Sequence, residues 1–239
     1  MQRPQLEKPD ISEKGARDQR SDRRLFMQLF VFTDLHGDVE PMVRTLREAN
    51  VEAVLYLNMN DPHGVALLTM SEDPNFFVDN LRPILQCGPF ARLAPDPKYT
   101  MVGRTYALGY EPDLEEALLL RPRRHVLNPQ WPWAIWYPLR RSGEFAQLTV
   151  DQQRQILSEH GQIGMSFGAA DFAHDVRLAC HGLDKNDNDF VIGLTGSQLY
   201  PLSAIVPTMQ GTQQTSLYLT SLGPFFVGKA VWMSGDGEG

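Results

Sequence analysis

The order of apolar segments constrains this chain more than any other feature. Leu25 to Thr33 (LFMQLFVFT) is rich in Phe, Val and Leu and predicts a buried strand. Asp38 to Ala49 follows with helical spacing at Val39, Met42, Val43 and Leu46. Two apolar runs, Ala53 to Leu57 and Val65 to Met70, flank the turn signal Asn60-Asp61-Pro62-His63-Gly64. A second helix over Pro74 to Leu85 and a strand over Tyr99 to Tyr110 complete the unit. Strand-helix-strand-strand-helix-strand is the ferredoxin-like plan.

The remainder repeats that order. Strands are expected at Trp133 to Leu139, His174 to Cys180 and Phe190 to Leu194, with helices at Thr149 to Phe167 and Leu202 to Met209. A last strand, Ser216 to Trp232, closes the set. The repetition is one of pattern, without residue-level similarity. Two such units packing their sheets together predict an α+β, barrel-like body. The expected division is a disordered tail over 1–24, one half over 25–120, a second over 121–232 and a short tail over 233–239. The join falls near Asp113 to Pro129, around the basic stretch Arg121-Pro122-Arg123-Arg124.

With 239 residues, 42% of them hydrophobic, the chain can bury a substantial core. A net charge of −7 offers no general basic field, which argues against nucleic acid and anionic membranes as partners. No run approaches the ~18 apolar residues of a spanning helix. The N-terminus has no apolar leader segment, and two cysteines, Cys87 and Cys180, suit a reducing compartment. The expected location is the cytoplasm.

Within the second half, Thr149-Val150-Asp151-Gln152 is a capping box that opens a helix. Ile156, Leu157, His160, Gly164 and Phe167 then share one face at steps of three and four. An imidazole therefore sits on the apolar stripe, with glycines one and four residues later, so a flat ligand can approach the helix closely. A neutral imidazole nitrogen there can bind a metal. On the preceding strand, Trp133, Ile135, Tyr137 and Leu139 share one face, and the cations Arg140 and Arg141 follow. A phenol beside guanidinium groups suits an anionic ligand, because arginine matches carboxylates well.

Two other motifs lead nowhere. Asp34-Leu35-His36-Gly37-Asp38 looks like the first metal motif of calcineurin-type phosphoesterases, yet no later Gly-Asp-x-x-Asp or Gly-Asn-His segment follows. Its aspartates read more simply as caps for the next helix. Asp184 to Asp189 resembles the start of an EF-hand loop but lacks Gly at the sixth place and Glu at the twelfth, which is Thr195. It reads as a solvated turn.

Taken together, three ordered motifs resemble the chlorite dismutase superfamily, most closely its coproheme decarboxylase branch. They are Tyr137-Pro138-Leu139-Arg140-Arg141, His160-Gly161-Gln162-Ile163-Gly164 and Gly223-Pro224-Phe225-Phe226-Val227-Gly228. The match covers about Arg121 to Trp232, while the first half agrees in plan only. The resemblance implies heme b or iron coproporphyrin III in the C-terminal half, with His160 as iron ligand. It implies a tyrosyl radical at Tyr137, a propionate partner at Arg141, and further porphyrin contacts from Arg123 or Arg124, Ser216 and Gly164. It also implies peroxide-driven oxidative decarboxylation as the reaction, hydrogen peroxide as co-substrate, and a homopentameric ring.

Two positions depart from the family pattern. The distal Arg or Gln falls on Ala173 or Asp175, depending on the direction of counting, and Arg177 on the face of Asp175 is the available substitute. Without the distal Arg, chlorite degradation is disfavoured. The carboxylate that would polarise the ligating histidine becomes Gln214. These losses keep a non-catalytic heme carrier or sensor in view beside the enzyme.

Overall fold

The computed structural model describes residues 8–235. It begins with a small hairpin, β1 (Glu13–Lys14) and β2 (Arg20–Ser21). The sequence predicts disorder ahead of Leu25, and over residues 8–24 the structure corrects this. Glu13 accepts hydrogen bonds from Arg104 Nη1 at 2.7 Å and from the Ala107 amide at 3.0 Å. The Ala16 amide donates to the Glu111 carbonyl at 2.8 Å, and Gln19 Nε2 donates to the Pro112 carbonyl at 2.6 Å. A polar segment stays disordered only when its groups find no fixed partners. The rest of the predicted tails, residues 1–7 and 236–239, lies outside the described residues.

The first ferredoxin-like unit comprises β3 (Phe26–Thr33), α1 (Glu40–Glu48), β4 (Ala53–Asn58) and β5 (Val65–Ser71). A helical stretch over 76–85 ends in α2 (Arg82–Leu85), and β6 (Ala94–Pro95) and β7 (Met101–Arg104) follow. The second unit follows a short α3 (Arg121–Val126). It runs through β8 (Trp133–Arg141), α4 (Gly143–Gln147), α5 (Val150–Ala169), β9 (His174–Ala179) and β10 (Phe190–Gly196). The chain continues through α6 (Leu199–Gln210), α7 (Gln213–Tyr218), β11 (Leu219–Leu222) and β12 (Phe226–Met233).

Two expected strands are corrected. Tyr99 to Tyr110 is a strand only over Met101–Arg104. Beyond it, the buried Glu111 carboxylate takes the amides of Leu108, Gly109 and Tyr110 at 2.8, 2.9 and 3.1 Å and curls the chain into a loop. Ser216 to Trp232 divides into α7, β11 and β12. Ser216 Oγ donates to the Thr212 carbonyl one turn back, which favours a helix there. Gly223 at φ +98° and Pro224, which has no amide to donate, then interrupt the strand.

Within the first unit the strand order is β7-β3-β5-β4, and within the second β9-β10-β8-β12. The units join where β4 pairs with β12 and β7 meets β9, so eight strands close into a ring. Its interior is one apolar cluster from both units, including Met27, Leu29, Tyr56, Leu68, Val176, Leu178 and Phe226. Trp136 fits there because its register partner is Gly193, where a Cβ would lie 2.5 Å from the indole.

Helices cover the outer face of each unit. On the first, α1 buries Met42, Val43 and Leu46 against Phe32, Leu55 and Leu67. Fully burying such side chains contributes about 1.5–3 kcal/mol each. Asp38 Oδ1 accepts the Glu40 amide at 3.1 Å, so the phosphoesterase-like segment contributes a turn at the start of α1. Asp184 Oδ2 accepts the Asn186 and Asn188 amides at 3.2 and 3.0 Å within the β9–β10 turn.

Cys180 is buried, and desolvation, with Asp184 adding to it, pushes its thiol up to about 12. Cys87 is exposed. Because the thiolate is the reactive form, one equivalent of a thiol reagent is expected to react rapidly at pH 8, at Cys87. Cys180 is expected to react only on unfolding, and rapid labelling of both in the native protein would contradict this packing.

Candidate functional site

On the second unit the helix layer does not close onto the sheet. The capping box is present as expected: the Thr149 hydroxyl accepts the Gln152 amide at 3.3 Å, and Gln152 Oε1 accepts the Thr149 amide at 2.9 Å. Yet of the 20 residues of α5 only Ile156 is buried. Its inner face carries Gly161, Gly164 and Gly168 instead of bulky side chains. A Cβ at Gly161 would meet nothing within 4 Å, one at Gly164 only Met209 Cε at 3.7 Å, and one at Gly168 only the Ala173 carbonyl at 3.8 Å. Between α5, α6 and the outer face of β8, β9 and β10 lies a cavity of about 460 Å³. That is within the range of small-molecule and cofactor sites.

His160 lines this cavity. Its Nδ1 lies 3.4 Å from Thr212 Oγ1, and no described residue hydrogen-bonds its Nε2. Burial lowers the pKa of the imidazole, with the charges of Arg141 and Arg177 adding to the effect, so the ring is neutral near pH 7. A neutral ring anchored at one nitrogen presents the other as a metal ligand.

Tyr137 occupies the sheet wall of the cavity, as the alternation along β8 predicts. It packs with Ile135 and Leu139, and its ring is 4.7 Å from that of Phe225. Desolvation, with Asp175 adding to it, raises the phenol above its ordinary value. Asp175 and Arg177 both line the cavity and pair with each other at 3.1 Å. Tyr110 lines the cavity as well. Ala173 stands beside them at the start of β9.

Other expected site residues lie elsewhere. Arg123 pairs with Glu52 at 2.8 Å and Glu72 at 3.8 Å, and Arg124 pairs with Glu116; neither reaches the cavity. The residue of that stretch that does is Arg121, which among the described residues has no ion-pair partner. Arg121 and His125 lie one turn apart on α3 and both face the cavity. Arg141 stands just outside the lining, its guanidinium between the rings of Phe145 and Phe190 at 4.7 and 4.6 Å. Ser216 faces its own helix, whereas Gly164 is on the cavity wall. Gln214 lines the cavity, and its Oε1 is buried without a hydrogen-bond partner. Thr212, at the start of the same α7, takes the place beside His160 that sequence reasoning gives to Gln214.

The profile of the chlorite dismutase family matches residues 96–231, more than half of the sequence. The chain belongs to this family. No curated protein sequence matches it. Among solved structures, a heme-binding protein from Thermus thermophilus is similar at 18% identity and TM-score 0.67 over 87% of this chain and 91% of that one. A chlorite dismutase from Candidatus Nitrospira defluvii in complex with imidazole is similar at 14% identity and TM-score 0.65, over 88% and 92%. These likenesses show the chlorite dismutase fold. Among the described residues no helix is long and apolar enough to cross a membrane.

The residues present fit a heme-type group. The glycine row leaves a flat wall where a Cβ would intrude, the neutral His160 has a free nitrogen, and Gln214 leaves a buried oxygen unpaired.

Proposed function

We propose that this protein binds an iron porphyrin in the α5 cavity, with His160 Nε2 as the iron ligand. The supporting observation is the long apolar-faced helix that buries one residue, lines a cavity with glycines, and holds a neutral imidazole there. The related Thermus protein described as heme-binding supports the same ligand class. In the finer reading, the substrate is iron coproporphyrin III and the product heme b. Each cleaved propionate leaves a vinyl group and carbon dioxide, while one hydrogen peroxide is reduced to two waters. The bound iron supplies the peroxide-driven oxidising power when present.

The chain's own residues have defined parts. Arg121 and Arg177 orient carboxylates at the polar end of the cavity through paired hydrogen bonds. Tyr137 is the oxidisable phenol. Buried and firmly protonated, it must release its proton as it is oxidised, and Asp175 is the carboxylate whose field reaches it. Leu194, Ile192, Ile205 and Leu222 exclude water from the remaining walls. The protein is proposed to act in the cytoplasm as a homopentamer, with a solution mass five times the 27.0 kDa chain.

Mass spectrometry of the porphyrin after peroxide addition to protein loaded with iron coproporphyrin III tests this reading. Stepwise loss of two carboxyl groups is expected, and Tyr137→Phe should stop it while binding persists. An intact or bleached porphyrin would overturn the decarboxylase. The second reading, a non-catalytic heme carrier or sensor, would then stand. It is favoured by the neutral Thr212 and Gln214 in the surroundings of His160.

A further inference from the structure

We infer that Thr212 is the positioning residue of the iron ligand: its hydroxyl accepts the Nδ1 proton of His160, sets the ring's tautomer, and so leaves Nε2 as a weakly donating ligand for iron. This rests on the iron-porphyrin reading above. The hydrogen-bond pattern supports the direction of the contact. A threonine hydroxyl has one proton and two lone pairs. Thr212 Oγ1 lies 2.7 Å from the Met209 carbonyl, which can only accept, so its proton goes there. Its lone pairs are left for His160 Nδ1 and for the Thr215 hydroxyl, each at 3.4 Å. Nδ1 must then carry the ring proton, and Nε2 has the free pair that a metal needs.

The arrangement is built into the fold. Thr212 is buried and opens α7, and the next amide, Gln213, donates to Glu159 Oε2 at 3.0 Å. The start of α7 is thereby docked on the turn of α5 that carries His160. The nearby carboxylates are otherwise engaged, Glu159 with the Gln213 amide and Asp175 with Arg177. The 3.4 Å separation is long, and such contacts commonly tighten when a site is filled. A carboxylate acceptor would draw the Nδ1 proton strongly and enrich Nε2; a hydroxyl already committed as a donor does so weakly. Iron held by this ligand keeps a higher reduction potential than iron held by a carboxylate-backed histidine.

The first readout needs no ligand. Long-range ¹H–¹⁵N spectra of the apo protein are expected to show His160 as the Nδ1–H tautomer in the wild type and in Thr212→Ser, and a shift toward Nε2–H in Thr212→Val. In hemin-loaded protein, Thr212→Val should weaken binding about 10–100-fold. Thr212→Glu should lower the midpoint potential and raise the ferrous iron–histidine stretching frequency. An Nε2–H ring in the folded wild type would overturn the proposal even if no variant folds. So would a Thr212→Val protein with unchanged tautomer and stretching frequency. Failure of the porphyrin reading is separately visible, as hemin that binds His160→Ala with an unchanged spectrum.

Discussion

Hemin titration of His160→Ala is expected to lose the histidine-ligated iron spectrum altogether. Affinity should fall by more than the ~100-fold that removal of a second-layer partner can cost. The argument rests on the donor set. Among the described residues His160 is the imidazole on the glycine-lined wall, neutral because it is desolvated and because Arg141 and Arg177 oppose its protonation. His125 and His174 also line the cavity, from α3 and β9. His125 Nδ1 is bonded to the Asp175 carbonyl at 2.9 Å, while His174 Nε2 is 2.7 Å from Asp171 and its ring stacks on Trp131. Alanine is the best helix former, so α5 and the melting temperature should survive the change. A retained spectrum would move the iron away from α5.

Gly164→Leu is expected to separate stability from binding with opposite signs. Glycine inside a helix costs about 0.8–1 kcal/mol relative to good helix formers. Gly164 has no positive φ to justify it, and its Cβ would make only an ordinary contact with Met209 Cε at 3.7 Å. Leucine should therefore raise the unfolding temperature by roughly 2–4 °C, the shift that ~1 kcal/mol gives for a chain of this size. Its isobutyl group would project into the cavity beside His160, so hemin binding should fall below detection. Calorimetry and hemin titration of one sample check both signs. A stabilised variant that still binds hemin with wild-type affinity would show that the glycine row does not face the ligand.

Much of the site is legible in short-range patterns. The period-two alternation of β8 puts Ile135, Tyr137 and Leu139 on one face and Ala134 and Trp136 on the other, and the two faces are indeed in different apolar clusters. The Thr149–Gln152 box sets the start of α5 and, with it, the phase that turns His160 and Gly164 inward. Those features depend on residues within a turn or two of one another. Arg121 is harder to find, because Arg121, Arg123 and Arg124 are chemically equal and only the orientation of α3 against the sheet separates them. Thr212 lies 52 positions from His160, and no local periodicity relates the two. The Glu111 loop misleads for a similar reason: its apolar flanks suit a strand, and a buried carboxylate overrides them.

Propensity and spacing along the chain are enough for the two ferredoxin-like units, the faces of their strands and helices, and an imidazole set among glycines. The pairing of β4 with β12 and of β7 with β9, which closes the ring, emerges only from the folded arrangement. The same holds for the contrast between α1, which fills its interface with Met42, Val43 and Leu46, and α5, which leaves a cavity. Which arginine faces the cavity and which hydroxyl lies beside His160 were likewise set there. Those outcomes depend on distances between segments far apart in the chain, which close packing sets and no local pattern encodes.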